Sequence, residues 1–182
     1  MDSPLVIGIT GRIGAGKTTL AQVLRTEYGF QYFRYSLVLA EWRKVDPTAK
    51  GNLQELGWGV MAGGNQRELN RLLIKQIDRG QDCVVDGLRH IIDYESLKNE
   101  FPRNFALIFL KAAAQIRFDR IRQRYPEYSS FLKADSHPVE SSIDSLLPLA
   151  ELVLDSEKSV SEIAVNAISF CSSFRKLLEG NL

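Results

Sequence analysis

Apolar positions along the chain fall into two rhythms that alternate from end to end. Leu5-Val6-Ile7-Gly8-Ile9 is a short β-branched run of the kind that forms a strand buried on both faces. After a glycine-rich turn, Leu20, Val23 and Leu24 recur at helical spacing, and Gly29 stands where it can end the helix in the left-handed conformation. Phe30 to Arg34 predicts a second strand, and Ser36 to Arg43 a helix without a clean apolar face. Asp46-Pro47 and Gly51-Asn52 mark loops, while Gly57, Gly59, Gly63 and Gly64 predict a mobile connection. Asn65 is placed to cap a further helix, with Glu68 as its reciprocal partner; Leu69, Leu72, Leu73 and Ile77 carry that helix on to Gly80. Asp82-Cys83-Val84-Val85-Asp86 and Phe105 to Leu110 read as two more buried strands, and Leu152-Val153-Leu154 as a fifth. Helices are expected at about 93–100, 113–124 and 159–178.

Strands alternating with helices imply a mostly parallel sheet covered on both faces, an α/β architecture. The sequence shows no internal repeat, low-complexity tract or long linker. At 182 residues it reads as a single domain, 1–182.

Composition narrows the function classes. Hydrophobic residues make up 45% and charged residues 25%, which excludes collagen-like, disordered and disulfide-scaffold chains. Lys and Arg total 23 against 22 Asp and Glu, a net charge of +1, so there is no broad electrostatic attraction for duplex nucleic acid or an anionic membrane. An anion site must be built locally. The two cysteines, Cys83 and Cys171, are far apart in apolar contexts and predict buried, reduced thiols. The start, Met1-Asp2-Ser3-Pro4, lacks the pattern of a secretion signal. The most apolar stretch, Phe105 to Ala114, is broken by Lys111 and too short for a membrane span. The expectation is a soluble, cytoplasmic protein with no obligate protein partner.

Local anion chemistry is found at once. Gly11-Arg12-Ile13-Gly14-Ala15-Gly16-Lys17-Thr18 fits G-x-x-x-x-G-K-[ST], directly after a predicted strand and opening a predicted helix. Glycines let backbone N–H groups converge on phosphate oxygens, and the helix N-terminus adds about half a positive charge. Lys17 is placed to reach the β- and γ-phosphates, and Thr18 offers a hydroxyl to Mg²⁺. Gly11, Gly14, Ala15, Gly16, Lys17, Thr18 and Thr19 are therefore the expected nucleotide cradle. Asp86 closes a strand where a parallel sheet places its ligands, and can serve Mg²⁺ or orient an incoming nucleophile.

The arginines fall into two sets. Arg117, Arg120 and Arg124 lie at i, i+3 and i+7, one helical stripe whose charge suits the spread of negative charge during phosphoryl transfer. Arg34, Arg43 and Arg89 form a candidate acceptor site, with Tyr32, Tyr35 and Trp42 offering rings for a base. Core packing accounts for each ring equally well. The sequence has no N-K-x-D guanine signature and no D-x-x-G at Asp86, and it is short for the remodelling ATPases, which usually add a helical domain. His90 and His137 show no metal-partner pattern.

Taken together, Ile9 to Thr19, Val84-Val85-Asp86-Gly87-Leu88-Arg89 and Ile116 to Arg124 resemble the nucleoside and deoxynucleoside monophosphate kinase group of P-loop proteins, including its dephospho-CoA kinase-like branch. Leu152-Val153-Leu154-Asp155-Ser156 and Ser159 to Ile163 resemble that group's last strand, adenine-side loop and final helix. The likeness spans nearly the whole chain. It implies a P-loop NTPase fold with a five-stranded parallel sheet and the Asp86 strand beside the first. It also implies an acceptor-binding segment at about 36–64 and a lid at about 125–147. By position, Arg89 and Arg43 would hold the acceptor phosphate, and Arg120 and Arg124 the transferring phosphoryl.

Three departures bear on that expectation. Arg89 comes one residue earlier than the arginine of D-G-x-P-R, and the proline is missing. Lys133 is the only lysine or arginine between Tyr125 and Ser145, with Ala134 and Asp135 where related kinases often carry arginine. Asp155 replaces an asparagine common among relatives. These argue against adenylate kinase activity and for a reduced lid. The resulting expectation is an ATP- and Mg²⁺-dependent kinase acting on a nucleoside monophosphate or similar small phosphorylated acceptor. Lys17, Asp86, Arg89, Arg120 and Arg124 would carry the chemistry, Thr18 and Asp86 the metal, and Arg34, Arg43 and Arg89 the acceptor. Dephospho-CoA kinase and a slowly hydrolysing nucleotide switch remain open, with a sugar or shikimate-type kinase a third possibility for which no acceptor pocket is legible.

Overall fold

The computed structural model describes residues 4–48 and 50–180; Met1–Ser3, where a leader was weighed, lie outside them. Among the described residues, five parallel strands form one sheet in the order β2-β3-β1-β4-β5: β1 Val6–Thr10, β2 Gln31–Arg34, β3 Cys83–Leu88, β4 Phe105–Lys111 and β5 Leu152–Asp155. The central strands are buried on both faces, which is why they read as unbroken apolar runs. Alternate residues go to opposite sides. Val6, Val85, Phe105 and Leu107 join one core with α2 (Tyr35–Arg43), α4 (Gln66–Ile74) and α5 (Ile91–Glu100); Ile7, Ile9, Val84 and Ile108 join another with α1 (Lys17–Tyr28) and α9 (Val160–Glu179). The layers, the strand count and the place of β3 beside β1 are as the sequence implies. Cys83 and Cys171 are buried and unbonded, and burial pushes both thiols up to about 12. Among the described residues no helix is long and apolar enough to cross a membrane.

Several local expectations are corrected. The glycine-rich connection is a helix, α3 (Lys50–Ala62). Tertiary packing overrides the weak propensity of its glycines: Val60 is buried, and Leu53 and Leu56 pack on the same core. Asn65 precedes α4 but makes no side-chain cap; its amide donates to the Gly63 carbonyl, and Glu68 turns to Arg71 instead. That helix ends at Ile74 rather than near Gly80. Asp86 does not close its strand, since β3 runs on to Leu88 with a register shift at Ile9/Thr10 and Gly87 at φ 92°. The arginine-bearing helix, α6 (Ala114–Arg120), stops short of Arg124.

The region 125–149 carries more structure than a loop. It holds α7 (Tyr128–Asp135), α8 (Pro138–Ser141) and a 3₁₀ stretch, Ser142–Leu149. Phe131 and Ala134 of α7 pack with Phe118 of α6 and with Ile13 of the loop after β1.

Candidate active site

The site is built at the carboxyl ends of β1 and β3, where a topological switch in an open parallel sheet leaves a crevice. Loop 11–16 leads from β1 into α1, and its geometry is possible only with glycine. At Gly14 φ is +79°, and a Cβ would stand 2.5 Å from the Arg117 carbonyl oxygen. Gly16, at φ 91°, precedes the first turn of α1. The Thr10 hydroxyl, at the end of β1, donates to the Leu88 carbonyl at 2.7 Å and stitches the ends of the two central strands together.

Thr18, in the first turn of α1, donates its hydroxyl to Asp86 Oδ2 at 2.7 Å. Asp86 is almost fully buried. The Tyr32 hydroxyl reaches the same oxygen at 3.1 Å, and Arg34 lies 3.7 Å away. Arg34 is there because it is the register partner of Asp86 across β2 and β3. Burial, reinforced by Asp86, pushes the Tyr32 phenol up to about 12, so it stays a donor. Lys17 is half-buried, and its ammonium turns back to the carbonyls of Gly11 and Arg12 at 2.5 and 3.1 Å. Desolvation lowers it to about 8, against the opposing pull of Glu140.

A cavity of about 600 Å³ opens over this loop. Gly14, Gly16, Lys17, Thr18 and Thr19 form its floor, with Asp86 and Gly87 beside them. Arg34, Arg89, Arg120 and Arg124 line its walls, and Ser36, Leu37, Pro47, Leu53 and Gln54 close the far side. Gly11 and Ala15 belong to the same loop but do not face this cavity; Ala15 lines a smaller apolar recess with Leu110, Ser156 and Ile163. Arg120 donates to the Ser156 carbonyl, and Arg124 sits over the Tyr125 ring at 5.1 Å.

Three expectations fail here. Arg43 is exposed and stacks on Trp42, 4.1 Å from the ring centroid; it does not line the cavity. Neither Tyr35 nor Trp42 is a base platform: Tyr35 is core and donates to Asn70, and Trp42 packs on the same core. Nor does Arg117 join Arg120 and Arg124 on a stripe facing the cavity. It is buried, donates to the Ile13 and Ala112 carbonyls, and pairs with Asp135.

Residues not singled out from the sequence complete the site. Glu140, on α8, has no exposed surface; its Oε2 accepts from the Ile13 amide at 2.9 Å and its Oε1 from Arg89. Arg12 grips both carboxylate oxygens of Asp144, at 3.0 and 2.7 Å, and the Asp135 carbonyl. Asp93, also buried, accepts from the backbone amides of Arg89 and His90 at 2.9 and 3.0 Å, and from Asn70 and Gln66. It thereby fixes the turn that presents Arg89. His90 and His137 each cap a helix through Nδ1. The signal for the acids was available: a segment poor in cations carries Asp135, Glu140 and Asp144, while the loop and α6 carry surplus arginines.

Set beside known proteins, residues 7–139 match the family model described as "AAA domain". The chain belongs to this AAA domain family. The five-stranded parallel sheet and glycine-rich loop described above are the P-loop NTPase fold. A UPF0200 protein of Pyrobaculum aerophilum is 28% identical over 87% of this chain and 91% of its own length. A dephospho-CoA kinase of Borrelia garinii is 25% identical over 80% of this AAA-domain chain and 70% of its own. Among solved structures, a gluconokinase from Sinorhizobium meliloti superposes with a TM-score of 0.60 at 16% identity, covering 97% of this chain and 95% of its own, a likeness of fold.

Proposed function

We propose that this protein is an ATP- and magnesium-dependent kinase that transfers the γ-phosphoryl group to a nucleoside monophosphate or similarly small phosphorylated acceptor. The observation that supports this best is the single cavity in which the Gly14–Thr19 floor, the Asp86 carboxylate and four arginines face one another. Lys17 and the loop amides would hold the donor polyphosphate. The Thr18 hydroxyl and the Asp86 carboxylate, 2.7 Å apart, are hard oxygen donors of the kind magnesium takes alongside substrate phosphates and water. When bound, that ion supplies charge neutralisation at the phosphate oxygens. Arg120 and Arg124 stand where negative charge would spread in the transition state, and Arg34 and Arg89 where an acceptor oxyanion would be held. The segments at about 36–64 and 125–147 would form the acceptor wall and the lid of this one domain.

Turnover should be read with Mg²⁺-ATP and a panel of nucleoside monophosphates and dephospho-CoA. Lys17→Ala should lose roughly 10²–10³ in rate while keeping the fold; near-normal transfer by that variant overturns the proposal. The Arg89–Glu140 pair favours one second reading. If Arg89 stays paired with acceptor bound, no acceptor phosphate is clamped there, and a hydroxyl acceptor such as the ribose of dephospho-CoA is preferred in the same panel.

A further inference from the structure

Glu140 divides its two oxygens between donors of different origin. The Ile13 amide belongs to the loop that cradles the donor, while Arg89 projects from the turn after β3 on the acceptor side. Ile13, Arg89 and Glu140 line the same cavity as Lys17 and Thr18, so on the kinase reading the two donors flank the way from loop to acceptor. In this structure an anion already stands there, supplied by the chain's own lid. The remainder of the cradle is left open: Gly14, Gly16, Lys17 and Thr18 face the cavity, and the Lys17 ammonium is bonded to carbonyls rather than to Glu140. The segment that carries Glu140 is also fastened independently through Arg12 with Asp144, so the carboxylate is free to leave without the lid coming away.

We infer that Glu140, bridging the Ile13 amide and Arg89, competes for the transfer position, so that a nucleoside triphosphate must displace it whereas a nucleoside diphosphate need not. The inference rests on the kinase reading and deepens it. Two anions cannot share one amide and one guanidinium in a desolvated site without strong repulsion. The terminal phosphoryl of the donor therefore evicts the carboxylate, and Arg89 is released toward an acceptor only once that has happened. After transfer, Glu140 returns and closes the position over the bound diphosphate.

The test is the ratio of Mg²⁺-ATP to Mg²⁺-ADP affinity, measured by titration calorimetry on the full chain. Glu140→Gln keeps the shape and an oxygen for the Ile13 amide but removes the competing charge. ATP binding should tighten by about tenfold, as expected for losing one charge-assisted competitor, and ADP binding by less than about twofold. Should Glu140→Gln fold poorly, Glu140→Asp, one methylene too short to span both donors, should move the ratio in the same direction. Equal changes for the two nucleotides, or weaker ATP binding, overturn the inference. If the wild-type protein binds neither nucleotide, the kinase reading falls and takes the inference with it. That result is distinct from normal nucleotide binding with a ratio indifferent to residue 140.

Discussion

Thr18 and Asp86, sixty-eight positions apart in the chain, share a 2.7 Å hydrogen bond across the floor of the cavity. The bond exists because α1 begins at the end of β1 and β3 lies alongside it. Asp86→Asn keeps the size of the side chain but removes the charge that a magnesium ion would need. Phosphoryl transfer should fall by roughly 10²–10³, and the magnesium concentration for half-maximal rate should rise. A magnesium titration of the initial rate checks both.

Lys17 carries a pH dependence of stability with a definite sign. Its folded value, about 8, lies below the ordinary 10.5 because the ammonium is desolvated. Between those two values the unfolded chain holds the extra proton, so stability rises with pH across that window and is level below it. Urea midpoints of the wild type and Lys17→Met, compared from pH 7 to pH 11, should diverge in favour of the wild type as pH climbs from 8 to 10.5. Parallel curves would show that the Lys17 ammonium is not desolvated in the folded protein.

Glycines in two settings should respond in opposite ways. Gly59 lies inside α3, and a Cβ there meets nothing within 4 Å. Gly59→Ala should therefore stabilise by about 0.5–1 kcal/mol through helix propensity, read as a higher urea midpoint. Gly14→Ala, with φ +79° and the Arg117 carbonyl in the way, should lower stability and abolish nucleotide binding.

Arg117 and Asp135 are expected to matter for the fold, and Arg43 for neither fold nor chemistry. Asp135→Ala leaves a buried guanidinium unpaired and should cost about 3–5 kcal/mol, measured by denaturant unfolding. Arg43→Ala removes an exposed stack on Trp42; it should change stability by no more than about 1 kcal/mol and leave the Michaelis constant for any acceptor within about twofold.

What the sequence made legible is what is encoded locally. The cradle is a contiguous octapeptide between a strand and a helix. The neighbourhood of β1 and β3 was implied by the family resemblance and not by the apolar pattern, since β4 is as apolar as either. The folded order of residues 125–149 was not legible, because much of it comes from partners more than a hundred residues away. Glu140 meets Ile13, and Asp144 meets Arg12. Neither pairing leaves a periodic trace, and a charged residue in a loop-like stretch ordinarily predicts solvent. The α3 glycines misled for the same reason: propensity favoured a loop, while Leu53, Leu56 and Val60 had a core to fill. Arg43 misled in the opposite sense, since proximity in sequence to a tyrosine-rich strand says nothing about which way a helix end faces.

The Thr10–Leu88 stitch sets a limit on how such a protein can diversify. With the tips of the two middle strands tied, the gap between the polyphosphate loop and the Arg89 turn is a fixed dimension of the interior. If the proposed acceptor lies across that gap, room for a longer or shorter one would have to come from the margins, from α2, α3 or the stretch after Arg124, and not from the span itself.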